Sequence, residues 1–243
     1  DGCVEERSTS NSINSTSTYV IPGPGVTGNM PTGANDLQVA LAPTSTDTRW
    51  TVSDPSKVGT SQYACPRAIS ELQQMPATDF NNYFTASNGF LANGGTYLDL
   101  GMLWAARLLA SDGLWQSENV VRYHDYTVAR YVIFMTDGEM ETGNSGYTAY
   151  AQESTWKRVT TNGSPTTNDD NHSRRLSMIC DYIKNSAQAK IFAISFSAGS
   201  TLTSDLSNCA SGSNYAYRAA DETGLQRAFH DIGVAIGSLR LSQ

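Results

Sequence analysis

The chain has 243 residues and a formal net charge of −7 at pH 7, and 39% of its residues are hydrophobic. That length suits one sizeable α/β domain and leaves little room for a second. The acidic balance argues against nucleic acid and anionic membrane surfaces as partners, and the short basic pairs Lys157-Arg158 and Arg174-Arg175 are expected to be solvated. No apolar stretch approaches the roughly 20 residues that span a bilayer.

The chain begins with Asp1 and shows no secretory signal, which indicates a mature or excised fragment whose targeting segment lies elsewhere. Residues 1–66 are rich in Ser, Thr, Gly and Pro, and Pro22-Gly23-Pro24-Gly25 is a strong chain breaker. Such a region cannot build a core of its own. We expect it to lie over a neighbouring unit, tethered by its cysteines, with residues 67–243 forming the main domain.

Two helices are predicted before the first predicted strand. The first covers about residues 78–92, with Asp79 near its start. The second covers residues 97–110 and directly follows Gly94-Gly95-Thr96. It places four apolar side chains on one face at helical spacing, namely Leu98, Met102, Ala105 and Leu109.

An apolar run over residues 131–134 predicts a strand that is buried on both faces. The Asp137-Gly138 turn follows it and places the Asp137 carboxylate at the strand's carboxyl end, where ligands gather in open α/β sheets. The Thr96 hydroxyl and the Asp137 carboxylate are oxygen donors that suit Mg²⁺ or Mn²⁺. Each motif alone is also common as a turn or a helix cap.

A long polar stretch follows over residues 141–172 and carries Tyr147, Tyr150 and Trp156. Loops of this length in compact domains are usually functional or disordered. This one leaves from the tip that holds Asp137, so we expect it to overhang that edge. Its aromatic side chains either contact a partner or anchor the loop to the body, and the sequence favours neither.

Beyond this loop, the pattern predicts a helix over residues 173–185, a buried strand over 191–196 and a short edge strand over 214–218. A last helix covers residues 222–238, with His230 expected near its inner face. The alternation of helices and buried strands predicts a parallel sheet with helices on both faces.

The four cysteines, Cys3, Cys65, Cys180 and Cys209, lack the Cys-x-x-Cys spacing of a zinc site. Cys180 lies on a predicted helix and Cys209 lies in the loop after the next strand, so these two are placed to pair. Cys3 and Cys65 would then tie down the amino-terminal region. Two disulfides favour an oxidising, extracytoplasmic compartment; four reduced, buried thiols are the alternative.

Short segments along the chain form an ordered set: Gly2-Cys3-Val4-Glu5, Cys65-Pro66, Gly94-Gly95-Thr96, residues 101–107, residues 135–139, residues 180–184, Cys209-Ala210-Ser211 and residues 236–241. This set resembles the carboxyl-terminal half of TadG-like proteins of bacterial tight-adherence (Flp/Tad) pilus assembly. The fold of that half is similar to the von Willebrand factor type A domain, a Rossmann-like parallel sheet with helices on both faces.

The resemblance implies that Thr96 and Asp137 belong to two of the three loops of a metal-ion-dependent adhesion site, with Glu139 close by. The first loop of that site, Asp-x-Ser-x-Ser, is absent from this sequence. One hydroxyl and one carboxylate do not hold a divalent ion tightly. Mg²⁺ or Ca²⁺ is therefore expected only if another segment supplies the missing motif.

The resemblance also implies that the first strands of the family's sheet are missing here. A remnant of three parallel strands would leave its central edge open, which is an aggregation hazard. We therefore expect the chain not to fold stably alone and to associate with the missing amino-terminal half of the domain. The alternative is that residues 18–21 and 37–41 supply substitute strands.

The implied function is a non-catalytic component of Flp/Tad pilus assembly and surface adhesion that docks on pilin or on other assembly proteins. The domain would face the periplasm or the cell surface, anchored to the inner membrane by a segment outside this chain. The alternative is a metal-dependent adhesin that binds a host or surface ligand. Catalysis is not expected, because no histidine adjoins a recognisable nucleophile motif. The candidate partner contacts are Glu139, Tyr147, Tyr150 and Trp156.

Overall fold

A computed structural model describes residues 4–25, 27–54, 67–85, 94–197 and 201–241 of the chain, with side chains described up to residue 238. Its elements alternate between helices and short or long strands. In chain order they are β1 (Val4–Glu5), β2 (Thr51–Val52), α1 (Ala77–Tyr83), α2 (Leu98–Leu109), β3 (Arg122–Tyr123), β4 (Tyr126–Thr127), β5 (Arg130–Thr136), β6 (Tyr147–Thr148), β7 (Ala151–Gln152), α3 (Glu153–Trp156), α4 (Pro165–Asn185), β8 (Ala189–Phe196), α5 (Ser204–Cys209), β9 (Ala216–Ala219) and α6 (Glu222–Leu241).

The centre of the fold is a three-stranded parallel sheet in the order β5-β8-β9. Strand β5 pairs with β8 along its whole length, from Arg130 opposite Ala189 to Thr136 opposite Ser195. These strands confirm the three that the sequence predicts, with the edge strand shifted by two residues at its start. The result is a mixed α/β fold with helices flanking a parallel sheet, compatible with a Rossmann-like architecture.

Helices α2 and α4 pack together and cover one face of the sheet. Helix α2 agrees with its prediction, and Leu98, Met102 and Leu109 are buried as expected. Ala105 is only half-buried, and Leu103 and Ala106 take its place in the core. The core-facing stripe of α2 is therefore rotated slightly from the predicted one.

Helix α4 begins eight residues earlier than predicted, at Pro165 instead of residue 173. Proline at the first helical position is favourable, since its missing N–H would have no partner there. The added turns bury polar groups, Asn168, Asn171 and His172, so they lack the apolar period that marks a helix in sequence. The predicted loop over 141–172 is therefore wrong in its second half, and its first half holds β6, β7 and α3.

The second face of the sheet is covered unevenly. Helix α6 packs on β9 and β8, where Ala228 and Ile232 are buried in a small second core. On β5 the side chains alternate, with Val132 and Phe134 buried toward α2 and α4. Ile133 and Met135 point to the other side and are 42% and 48% exposed. Tyr131 on this face stacks on Phe192, so in the described part of the chain β5 lacks cover here only over its middle and carboxyl end.

The amino-terminal residues lie over α2 and α4 as an outer layer. Residues 18–21 and 37–41 do not form strands, so the substitute-strand alternative is wrong. Instead, Ile21, Leu37 and Val39 are buried in the main core as parts of loops. The apolar residues in these segments thus fill the core without extending the sheet.

Arginines tie this outer layer to the body, which corrects the expectation that both basic pairs are solvated. Arg175 is fully buried against Asp36, and Arg174 donates through Nε to the Ser17 carbonyl at 2.6 Å. Arg158 donates to the carbonyl oxygens of Glu6 and Arg7 at 2.8 and 2.7 Å. An extended chain exposes carbonyl groups, and guanidinium groups can satisfy several of them at once.

The predicted disulfide between Cys180 and Cys209 is present and links α4 to α5. Cys3 and Cys65 lie outside the described residues, as does the proposed domain boundary at residue 66. Helix α1 ends at Tyr83, and most of the remaining predicted span up to residue 92 also lies outside them. Among the described helices, none combines the length and apolar character that crossing a membrane requires.

Candidate functional site at the carboxyl edge of the sheet

The loop that carries Thr96 lies against the loop that follows β5. Thr96 and Glu141 form an antiparallel bridge, in which the Thr96 amide donates to the Glu141 carbonyl at 2.7 Å and the Glu141 amide donates back at 3.1 Å. Gly95 is needed for this approach, because an added Cβ would collide with the Glu141 carbonyl oxygen. Thr96 is therefore held beside the segment that begins with Asp137.

Asp137 and Glu139 are both exposed in the turn at the end of β5. Thr136 stabilises the turn, since its hydroxyl accepts a hydrogen bond from the Gly138 amide at 3.2 Å. Met140 is buried and fixes the far side of the turn in the core. Both carboxylates thus project from a short, anchored turn at the carboxyl edge of the sheet.

The amino-terminal half of α4 holds the next part of this loop. Asp169 accepts hydrogen bonds from the Thr142 amide and hydroxyl at 2.8 and 2.6 Å, and Asn168 donates to the same hydroxyl at 2.8 Å. Tyr97 donates to the Thr142 carbonyl at 2.7 Å, and burial raises the pKa of its phenol. The start of α4 lacks an apolar period because its buried residues are polar, and these polar residues are the ones that position the loop.

Two of the predicted metal ligands share this edge, but they do not make a complete site by themselves. Thr96 supplies one hydroxyl and Asp137 one carboxylate, whereas Ca²⁺ takes six to eight oxygen ligands and Mg²⁺ needs six. Among the described residues, no three or more His, Cys, Asp or Glu side chains cluster closely enough to hold an ion. Binding of Mg²⁺ or Ca²⁺ with help from another segment stays a prediction.

The three aromatic residues of the predicted loop occupy different environments. Tyr150 is buried, its hydroxyl donates to Asp36 at 3.2 Å, and burial raises its pKa well above the usual value. Tyr147 is half-buried and donates to the Glu5 carboxylate at 2.5 Å. Trp156 is 50% exposed. The two tyrosines make anchoring contacts within the chain, and a partner contact for any of the three stays a prediction.

A buried network of charged and polar side chains lies behind this loop and is not among the features predicted from the sequence. Arg107 makes a bidentate ion pair with Glu6 at 2.9 and 2.8 Å. His172 Nδ1 lies 2.7 Å from the Asp99 carboxylate, and both side chains are about 1% exposed. Asp99, Leu103 and Arg107 share one face of α2 at i, i+4 spacing, so a helical projection would have placed both charges toward the core.

Histidine positions also differ in part from the expectation. His230 is exposed on α6, which contradicts its predicted place near the inner face. His172 is instead the buried histidine, edge-on to the rings of Tyr97 and Tyr150. When a helix packs on only part of a sheet, more of the helix surface stays exposed than the apolar period of the helix suggests.

Comparisons of this chain with protein-family models, with curated proteins and with solved structures found no match. The resemblance to TadG-like proteins therefore rests on the sequence segments alone and stays a prediction.

Proposed function

We propose that this chain is a non-catalytic docking module of Flp/Tad pilus assembly and surface adhesion. It would bind the missing amino-terminal half of its own domain along the outer edge of β5. Completing the sheet would create the platform on which pilin or other assembly proteins dock. The pilus context comes from the sequence resemblance. The docking mechanism is supported by one structural observation: the outer edge of β5 has no partner among the described strands.

Strand β5 has seven residues, and none of the described strands pairs with its outer edge. Strands of parallel sheets are normally buried on both faces, and an open edge of this length is a template for another strand. The opposite edge strand, β9, has only four residues. Very short edge strands accept new strands poorly. The two edges therefore differ in the way expected if only β5 has lost a neighbour.

More apolar surface surrounds the amino end of β5. Tyr123 and Tyr126, which face each other across the β3–β4 hairpin, are 67% and 72% exposed. Val120 and Val121 are 44% and 53% exposed. Arg130, the first residue of β5, donates to the carbonyl oxygens of residues 119 and 120 and so fixes this surface to the strand. Clustered exposed aromatic and aliphatic residues are typical of interaction sites.

The test is co-expression of this chain with an amino-terminal segment that carries Asp-x-Ser-x-Ser, followed by native mass spectrometry and amide hydrogen exchange. We expect a 1:1 complex in which the amides of β5 exchange at least about tenfold more slowly than in the chain alone. The amides of β9 serve as the internal control and should change little. A complex with unchanged exchange at β5, or no complex at all, would contradict the proposal.

The second candidate function, a metal-dependent adhesin, is supported by the Thr96–Glu141 bridge, which holds a hydroxyl donor beside the Asp137 turn. In the same complex, Mg²⁺ should raise the unfolding temperature, and EDTA should reverse the rise. Asp137→Ala should abolish the response. Asp47→Ala, which removes an exposed carboxylate elsewhere, is the matched control. An equal response to Mg²⁺ in the wild type and Asp137→Ala would exclude this site.

A further inference from the structure

We infer that a shallow cleft between the amino-terminal segment and α3 is a binding site for a neutral sugar, with Trp156 as its stacking platform. The cleft has a volume of about 250 Å³, and β1, β2, β7 and the residues at the end of α3 contribute to its walls. It shares no residue with the open edge of β5 or with the Asp137 turn. The inference therefore does not rest on the proposed function.

Charges at the floor of the cleft are already neutralised. Glu6 is paired with Arg107, and it also accepts a hydrogen bond from Trp50 Nε1 at 3.2 Å. Glu5 is paired with Arg158 at 3.3 Å and accepts from Tyr147. An incoming cation or anion would thus meet carboxylates and guanidinium groups that compensate each other. The floor favours an uncharged polar ligand over an ion.

The rim offers hydrogen-bonding groups of both kinds. Asp47 and Arg49 are exposed at the cleft and carry opposite charges, and Thr46 and Thr51 add hydroxyl groups. Carboxylates only accept hydrogen bonds, guanidinium groups only donate, and hydroxyls do both. A ligand with several hydroxyl groups can satisfy all of these partners, whereas a purely apolar ligand would leave them unpaired.

Trp156 supplies the apolar part of the site. Its side chain is half-exposed and lines the cleft. An indole ring offers a broad apolar face and a polar edge, and the C–H face of a sugar ring is suited to lie on such a surface. The volume lies just below the roughly 300–1,000 Å³ of pockets for drug-sized ligands. We therefore expect the cleft to take one sugar unit, either free or at the end of a glycan.

The backbone around Trp156 is held in place before any ligand arrives. Glu153, the first residue of α3, is 3% exposed and accepts hydrogen bonds from the amides of Arg158, Val159 and Thr160 at 2.7–3.2 Å. Lys157 then adopts a left-handed conformation with φ of 47°, which ends the helix directly after the tryptophan. A rigid aromatic platform lowers the entropy lost on binding.

The test is saturation-transfer NMR and calorimetry on the whole chain with methyl glycosides of glucose, galactose, mannose, N-acetylglucosamine and N-acetylgalactosamine. We expect at least one of them to bind with a Kd of about 1 mM, a typical value for a small, open site. Trp156→Ala should weaken binding at least tenfold. Trp115→Ala removes a half-buried tryptophan that does not line the cleft and is the matched control.

Three outcomes would overturn the inference. They are no binding of any glycoside at a concentration 20-fold above the expected Kd, equal affinity of the wild type and Trp156→Ala for the glycoside, and displacement of the bound glycoside by inorganic phosphate. The last result would identify an anion site. Circular dichroism of both variants shows that a loss of binding does not come from unfolding.

Discussion

The two faces of β5 differ in how well other elements cover them. On one face, α2 and α4 cover Val132 and Phe134, and the amino-terminal loops then cover these helices. On the other face, Ile133 and Met135 are exposed. The polar, loop-rich amino-terminal segment covers a layer of helices, but its described residues add no strand to the sheet and no helix to this second, bare face of β5. In the described part of the chain, the segment therefore does not extend the sheet.

Buried ion pairs add to the apolar packing on the covered side. Arg107–Glu6 and Arg175–Asp36 both join the amino-terminal segment to a helix, and all four side chains are at most 1% exposed. Such pairs gain little net stability over apolar residues of the same size, but removing one partner leaves a buried charge unpaired. They select one arrangement of the loops and penalise the others.

The largest effect is expected from Arg107→Met, which leaves the Glu6 carboxylate buried without its ion pair. We expect the free energy of unfolding to fall by about 3–5 kcal/mol. Arg7→Met is the matched control, since both guanidinium groups lie over Trp50, at 3.7 and 5.0 Å from its ring centre. Urea denaturation measures both variants, on the chain alone where it unfolds cooperatively and otherwise on its complex with the proposed amino-terminal half.

Arg7 differs from Arg107 because its guanidinium has no hydrogen-bond partner in the described part of the chain. Burial, followed by the neighbouring charge of Arg107, lowers the pKa of Arg7 to about 10. Its replacement should change stability by less than about 1 kcal/mol. Equal losses in the two variants would show that charge pairing does not organise this layer.

The disulfide between α4 and α5 should have the next largest effect. It joins residues 29 positions apart, and loop-closure entropy gives about 3–4 kcal/mol for a loop of this size. The double variant Cys180→Ala/Cys209→Ala should lose that amount, as measured by urea denaturation under non-reducing conditions. If wild type and variant unfold at the same urea concentration, the disulfide does not contribute to the stability of the covered side.

The smallest effect on the chain alone is expected on the bare face. Met135→Ser should lower the free energy of unfolding by at most about 1.5 kcal/mol, because its side chain is 48% exposed and full burial of such a side chain is worth about 1.5–3 kcal/mol. The same variant should weaken binding of the amino-terminal half at least about tenfold, or 1.4 kcal/mol. Chemical denaturation and titration calorimetry measure the two quantities.

Val132→Ala on the covered face of the same strand is the control for this variant. It removes buried apolar surface and should cost about 1.5–3 kcal/mol in the chain alone. If the bare-face variant destabilises the chain as much as Val132→Ala does, the bare face is already covered in solution.

The sheet was predictable because its strands are continuous apolar runs. β5 and β8 carry such runs, and no other structure accommodates them as well at that length. The start of α4 was not predictable in the same way, because Asn168, Asn171 and His172 are polar residues that are buried and held by hydrogen bonds. Such contacts depend on residues far away in the sequence and leave no local period.

The candidate site was predictable only as a location. Gly95 and Asp137-Gly138 indicate where the chain turns, and the structure brings their loops together through Glu141. Turn residues report local backbone geometry, so they do not tell which side chains complete a ligand shell. The role of Glu153 in fixing α3 also depends on residues up to seven positions ahead, through contacts that no turn pattern records.

The ion pair between Asp36 and Arg175 has a consequence for how the protein is made. The two residues are separated by 139 positions, and synthesis proceeds at about 5–20 residues per second. A ribosome therefore needs roughly 7–28 s to reach Arg175 after Asp36 has been added. During that interval α4 is still incomplete and Asp36 has no Arg175 to pair with, so the loop that carries it must stay soluble, which the abundance of serine and threonine in the amino-terminal region favours.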